Sequence, residues 1–410
     1  MRIAFVTTYP PGKGTLNEYG FHFANHLRQK DEVSELYLLV DELPRGTTYP
    51  ADEPAEDGRA ALFYRPCWRF GSWRNAWRIQ QAVANIKPDI VLFNLQFATF
   101  SERRVAAALG LLAPWLSRQN GTLSAVLLHN IMEKVDLHQA GFGGSALLES
   151  VTRLAGNFFT RMLLRADMVA VTIPRYVEIL SEKYKADHVV LAPHGAFETI
   201  PQPSFNLPPG PLQIMTFGKF GTYKRVELLI QAYERLLQRV SHPLELVIAG
   251  SDSPNARGYL ARVQAQYAHV EGIRYTGYVP EEDVPTLFQA AAVVVLPYTS
   301  TTGSSGVLHQ AGSYGKAVVL PHLGDFTDLV LEEGYTGQFY MPDDPLSLAD
   351  AIEKLLLDPG FREDCGRRNY LAAVGLPMSD VVDWYLLHFE RLLNRSLAPD
   401  EVYQQAMVFK

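Results

Sequence analysis

Ile214-Met215-Thr216-Phe217-Gly218-Lys219-Phe220-Gly221-Thr222-Tyr223-Lys224-Arg225 is the stretch that decides how the chain is built. A short apolar run is followed at once by glycines, and an amphipathic stretch takes over near residue 224, an order that reads as strand, turn and helix. The same pattern recurs on both sides. Before it, Ile3 to Thr7, Ile90 to Phe93, Ala125 to Leu128, Met168 to Thr172 and Val189 to Ala192 read as strands. After it come Leu246 to Ala249, Ile273 to Thr276, Val293 to Leu296 and Ala317 to Leu320, with helices predicted near 224–239, 282–290, 305–314 and 345–357. Short apolar strands alternating with helices give parallel sheets covered on both faces. Between the halves lie Ile200-Pro201-Gln202-Pro203 and Leu207-Pro208-Pro209-Gly210-Pro211. Such a Pro-dense segment continues neither a helix nor a central strand. The fold class is therefore α/β, two doubly wound domains in series. The expected bounds are 1–200, a linker at 201–211, 212–378, and 379–410 with an amphipathic helix, Asp380 to Ser396, packing back on the first domain.

The chain's 410 residues suit two domains at roughly 100 to 200 residues each. Apolar residues are 47% and charged residues 20%, which excludes disordered, collagen-like and disulfide-scaffold classes. A net charge of −7 argues against nucleic acid as a partner. Cys67 and Cys365 are too few and too far apart for a zinc site or a disulfide framework, so a reducing, cytoplasmic setting is expected. The apolar run from Met1 to Val6 is too short for a signal-peptide core. The longest uncharged apolar stretch, Val105 to Leu116, is too short to span a membrane. A soluble protein, at most peripheral on the cytoplasmic membrane face, is expected. The polar stretch from Asp41 to Gly58 reads as a surface loop.

Chemistry-bearing residues gather at strand ends. The first strand runs into Tyr9-Pro10-Pro11-Gly12-Lys13-Gly14-Thr15, whose glycines, Gly12 and Gly14, let backbone N–H groups approach an anion at a helix start near Glu18. The spacing is that of neither a P-loop nor a dinucleotide fingerprint. His22 and His26 stand one helical turn apart without the glutamate of a zinc helix, and read as a surface pair. His129 and Asn130 end a strand at the lip of the first sheet. Lys219 and Lys224 supply two ammonium groups beside a helix N-terminus, which is what a diphosphate requires. The segment from Leu296 to Ala311, with Thr302, Gly303, Ser304, Ser305, Gly306, Val307 and Gln310, is a small-residue loop entering a helix and adds further backbone donors.

Taken in order, the TTYPPGKG turn, the LLHN strand end, the APHG segment from Ala192 to Gly195, the GKFGTYKR loop and the PYTSTTGSSGVLHQAGSYGKAVV block resemble the retaining, GT-B-fold nucleotide-sugar glycosyltransferases (family four, or glycosyl transferases group 1). The resemblance implies two facing Rossmann-like domains with a cleft between them. It implies that Lys219 and Lys224 clamp the donor diphosphate, with Lys219 where the family more often has Arg. Backbone groups of Gly303 to Ser305 would face the donor sugar and N–H groups of Gly306 and Val307 the phosphates. Tyr278 and Val279 would flank the base, His129 would lie beside the reacting sugar, and Gly12 and Gly14 would close over phosphates and acceptor. The family's two glutamates, eight positions apart, are replaced by Thr302 and Gln310.

The expected reaction moves a hexose from a nucleoside-diphosphate sugar, UDP-glucose or GDP-mannose, to an acceptor hydroxyl with retention. No Asp-x-Asp pair occurs, so no metal and no cofactor are expected. Thr302 and Gln310 keep a second reading open, a catalytically weak sugar-nucleotide-binding or scaffold protein; a sugar-nucleotide epimerase is a third. The acceptor would be a glycan, a lipid-linked or a small molecule. Arg65 to Arg78 packs four arginines and three tryptophans into fourteen residues. Arg69 and Arg74 there suit an anionic acceptor or lipid headgroups. The competing reading places Trp73 and Trp77 on a buried helix face.

Overall fold

The computed structural model describes residues 1–12, 14–131, 146–197, 203–253, 256–300 and 304–397. The chain divides into two units, Met1–Lys134 with Ser150–Pro193 and Met378–Lys410, and Val135–Glu149 with His194–Pro377. In the first unit, β1 (Arg2–Val6), β2 (Glu35–Asp41), β3 (Ala61–Trp68), β4 (Ile90–Leu95), β5 (Leu123–Leu128), β6 (Met168–Val171) and β7 (Val189–Leu191) form one sheet. Their order is β3-β2-β1-β4-β5-β6-β7, and every pairing is parallel. The second unit holds β8 (Leu212–Phe220), β9 (Leu244–Asp252), β10 (Ile273–Gly277), β11 (Ala291–Val295), β12 (Ala317–Pro321) and β13 (Gly337–Tyr340). These run β10-β9-β8-β11-β12-β13, again all parallel. The central strands β4 and β11 are buried throughout, as strands with helices on both faces must be.

The strand order turns back on itself between β1 and β4 in one sheet and between β8 and β11 in the other. In open parallel sheets the crevice beyond the carboxyl ends at such a point is where ligands bind. That puts the residues after β1, β4, β8 and β11 at the two candidate crevices.

Three strands lie outside the sequence reading. β3 carries Arg65 and Pro66, tolerated because it is an edge strand. β13 is a short polar edge, and β2 opens and closes on acidic residues, so that Asp41 ends a strand rather than beginning a loop. The domain bounds also differ. Ala196 donates to Leu376 O and pairs with Pro377, which places 194–197 in the second unit and moves the boundary from 200 to 193. The Pro-dense segment is not a free linker over its described residues: Pro203 and Phe205 close on Gly315, and Leu207 packs on the second core.

The C-terminal helix, Met378–Leu397, belongs to the first unit. Its buried Val381, Val382, Tyr385, Leu386 and Phe389 recur at helical spacing, and the Tyr385 ring meets Phe23 of the helix Asn17–Leu27 edge-on at 5.2 Å. Lys30 adds an ion pair with Asp383 at 2.5 Å.

Candidate functional site

In the first unit, β1 delivers Thr7 and Thr8 to the sheet's lip, and the following turn folds back on them. A Cβ on Gly14 would fall 2.3 Å from the Thr8 side chain, and one on Gly20 would fall 2.6 Å from Thr7 Oγ1. The glycines are there because the turn and the helix start press on the strand end. Gly12 N donates to Tyr9 O at 2.9 Å, and the Asn17 side-chain amide donates to Gly12 O. This corrects the expectation for Gly12, whose N–H is spent inside the turn. Lys13 lies outside the described residues.

His129 follows β5. Its Nε2 lies 2.6 Å from Asn94 Oδ1 on fully buried β4. Asn94 Nδ2 donates to Thr7 Oγ1 at 3.0 Å, and the Thr7 hydroxyl donates to Thr8 O at 2.9 Å. Read from the carbonyl end, the chain has one direction, in which His129 Nε2 carries the proton and donates to Asn94. The Tyr19 ring stands edge-on to the imidazole at 4.8 Å. Asn130 Oδ1 accepts from Phe97 N at 3.2 Å, so this oxygen holds the loop after β4. Asn94 and Thr7 were missed in the sequence. The available signal was a lone amide inside the apolar run Ile90-Val91-Leu92-Phe93-Asn94-Leu95. His22 is buried rather than on a surface, because it faces inward from its helix. Among the described residues no group of His, Cys, Asp or Glu is arranged to hold a metal.

The arginine- and tryptophan-rich segment splits. Trp68 ends β3 in the core at 1% exposure, whereas Trp73 and Trp77 are 65% and 57% exposed and Phe70 is 50% exposed. The buried-face reading of Trp73 and Trp77 is therefore wrong: the helix Asn75–Ile86 buries Asn75, Ala76, Ile79 and Val83 instead. Arg74 lies over the Trp73 ring at 4.9 Å. Arg69 and Arg78 both bind Glu42, at 2.6 and 2.5 Å. Burial alone would raise the Glu42 carboxyl, yet these two partners hold it below its ordinary range.

In the second unit, β8 ends at Gly218-Lys219-Phe220. Gly221 N donates to Lys224 O at 2.9 Å, and Lys224 pairs with Tyr298 in the segment after β11. The helix begins only at Glu227, so Lys224 stands on a strand-like pairing and not at a helix N-terminus. Its ammonium lies 5.1 Å from the Tyr298 ring centre, and a Cβ on Gly218 would come within 2.7 Å of Nζ. Gly218, at φ 130°, is needed both for its backbone and to leave room for this ammonium. Among the described residues Lys224 has no carboxylate partner. Lys219 is half-buried on the neighbouring strand end.

Tyr298 Oη and Ser305 Oγ, 2.9 Å apart, pin the two ends of the loop together. Thr302 and Gly303 lie outside the described residues. The helix Gly306–Ser313 opens with no side-chain cap from Ser305, and its first N–H groups, Gly306 and Val307, have no intrahelical partner. Gln310 is 6% exposed, and its Oε1 is buried with no hydrogen-bond partner among the described residues. A buried acceptor without a donor is what a ligand hydroxyl would complete. Tyr278, 77% exposed, and half-buried Val279 follow β10.

Beneath this loop is a cluster of which the sequence singled out Ser304 alone, with His194 and His309 carried inside the APHG and PYTSTTGSSGVLHQAGSYGKAVV segments. Ser304 Oγ and Tyr335 Oη each lie 2.9 Å from His309, at Nε2 and Nδ1. His194 stacks on the same ring, centroids 4.9 Å apart and 5° from parallel. Burial, then His194, pushes His309 well below the ordinary histidine range. Glu333 Oε2 is 3.5 Å from His309 Nε2, and burial pushes this carboxyl up to about 8. His309 is thus neutral, its two ring nitrogens bracketed by the Tyr335 and Ser304 hydroxyls.

Two parallel, helix-covered sheets in series, each with its chemistry at the switch point, define the GT-B class of fold. Residues 211–358, which lie within the second unit, match the family model described as glycosyl transferases group 1. An uncharacterised glycosyltransferase of Methanocaldococcus jannaschii is 31% identical over 151 residues, 37% of this chain and 37% of its own. The matches span 37% to 39% of the length of the first curated relatives. Among solved structures, sucrose-phosphate synthase from Thermosynechococcus elongatus superposes with a TM-score of 0.72 at 17% identity, covering 96% of this chain and 99% of that one. Anabaena HepE in complex with UDP-glucose gives 0.67 at 14% identity, covering 95% and 100%. These likenesses establish the GT-B fold over both units.

Proposed function

We propose that the protein is a glycosyltransferase that moves a hexose from a nucleoside-diphosphate sugar to an acceptor hydroxyl, with retention and without a metal. The observation that carries this is the Lys224 ammonium, held on Gly218 with no carboxylate partner among the described residues and paired with Tyr298, whose hydroxyl meets Ser305 at the start of the helix Gly306–Ser313. Lys219, Lys224 and the helix N–H groups would stabilise the diphosphate as the anomeric C–O bond breaks. The acceptor oxygen then bonds to the anomeric carbon on the face the diphosphate leaves, and its proton passes to a diphosphate oxygen. Gln310 would take the ribose hydroxyls, Tyr278 and Val279 would flank the base, and His129 would meet the reacting sugar. Gly14 and the described part of the first turn would close over the acceptor side.

The HepE complex makes UDP-glucose the first donor to test and GDP-mannose the second. A glycan or lipid-linked acceptor, a cytoplasmic setting and peripheral membrane contact through Phe70, Trp73, Arg74 and Trp77 belong to the same proposal. No helix among the described residues is long and apolar enough to cross a membrane. The test is a thermal-shift titration against a panel of nucleotide sugars and free nucleosides. The correct donor should raise the melting temperature saturably and its nucleoside much less. Equal shifts for nucleoside and nucleotide sugar would remove the diphosphate from the account.

A further inference from the structure

At the opposite end of the second sheet, where β11 and β12 begin, a cavity of about 260 Å³ is lined by Lys316, Arg362, Glu363, Phe205, Leu207 and Ala292. Lys316 is 3% exposed, and its ammonium makes one hydrogen bond, to Gln289 O at 2.9 Å. An ammonium has three donors. Arg362 spends Nη1 on Leu355 O and Leu356 O at 3.2 and 3.4 Å. Neither cation has a carboxylate partner among the described residues. Glu363, the only acid lining the cavity, is taken by Arg367 at 2.5 Å, and Asp358, which favours the charged Arg362, accepts from Phe361 N at 2.9 Å.

Carbonyls at helix C-termini account for the one contact of Lys316 and the two of Arg362. They do not account for two cations facing one cavity, where each opposes the other's charge. Burial, then Arg362, pushes Lys316 down to about 8, the mark of a cation without a counter-ion. The helix Pro359–Val374 begins at the same cavity and adds its positive end.

We propose that this cavity is a second ligand site, for a phosphate monoester, with Lys316 and Arg362 holding the phosphoryl group and Phe205 and Leu207 walling the organic part. At about 260 Å³ the cavity has room for more than a bare phosphate. The site is separate from the donor loops, which follow the other ends of β8 and β11.

The test is thermal-shift titration with inorganic phosphate, glucose 6-phosphate and glucose, run on the Lys224→Ala protein so that the donor loops do not compete. Glucose 6-phosphate should give a saturable rise, inorganic phosphate a weaker one and glucose none. Adding Arg362→Gln should weaken both phosphates by about tenfold or more, the loss of a charged hydrogen bond. Lys316→Met should do the same. If either variant fails to fold, titration of the parent with the three ligands still decides. No saturable rise with either phosphate, or unchanged affinity in Arg362→Gln, would overturn the site. Equal affinity for phosphate and glucose 6-phosphate would overturn the monoester.

Discussion

Lys224 shows how one side chain's role follows from its surroundings. An ammonium lodged on a glycine and facing a tyrosine ring, with no acid partner among the described residues, suits the anion site proposed for it. Lys224→Ala should weaken nucleoside-diphosphate binding by about 1.5 to 3 kcal/mol and leave nucleoside binding unchanged, as calorimetry of both ligands would show. His129→Ala should keep donor affinity and cut turnover. Asn94→Leu, which removes the partner of Nε2, should lower turnover in the same direction while His129 is intact, a kcat effect without a KM effect. The buried Glu333–His309 pair makes a pH prediction. Glu333 keeps its proton in the folded chain up to about 8 but loses it near 4.5 when unfolded, so its contribution to stability falls as pH rises through that window. His309, held neutral, contributes the opposite slope only below about 6.5. Stability should therefore decline between about pH 6.5 and 8, and Glu333→Gln should flatten that decline in chemical denaturation. A decline of the same slope in the variant would assign it to other groups.

Elements carry the next set of consequences. The helix Asn75–Ile86 leaves two indoles in solvent while the core indole comes from the strand before it. Replacing Trp73 and Trp77 by Ala should change stability by no more than about 0.5 kcal/mol, whereas Trp68→Ala should cost about 3 to 5 kcal/mol, both read from denaturant midpoints. If the exposed pair serves a lipid surface, liposome sedimentation should fall in the double variant with donor binding intact. The same segment shows where sequence legibility ends. Central strands such as β4 and β11 announce themselves by continuous apolar runs, and the helix Pro345–Leu357 by its periodicity and its proline start. Edge strands β3 and β13 do not, because one side of an edge is open to water and tolerates Arg65, Pro66 and Gln338. Lys224 stood out in the sequence by residue type and by its glycine-containing loop, but its support did not. A pairing with Tyr298, 74 positions away, leaves no local signal. The Asn94–His129 bond joins neighbouring strands and was hidden for the same reason.

On the scale of the molecule, the chain leaves the first unit at Pro193 and returns to it at Met378. The returning helix is held by aromatic burial against Asn17–Leu27, the helix that follows the first glycine turn. Tyr385→Ala should destabilise the first unit by about 3 to 5 kcal/mol. Because the Tyr385 hydroxyl is buried with no partner among the described residues, Tyr385→Phe should be neutral or mildly stabilising, and thermal denaturation distinguishes the two. The two-domain plan and the return of the last helix could be read from alternation and amphipathicity. The exact handover could not, since Ala196 is assigned to the second unit by a contact with Leu376. The central claim, that the second unit activates a nucleoside-diphosphate sugar by stabilising its diphosphate, is tested most directly by following nucleoside-diphosphate release from purified protein and nucleotide sugar in EDTA. The account predicts slow release from one donor, unaffected by EDTA and reduced at least about tenfold in Lys224→Ala. Saturable donor binding with no release from any donor, or release that continues undiminished in Lys224→Ala, would contradict it.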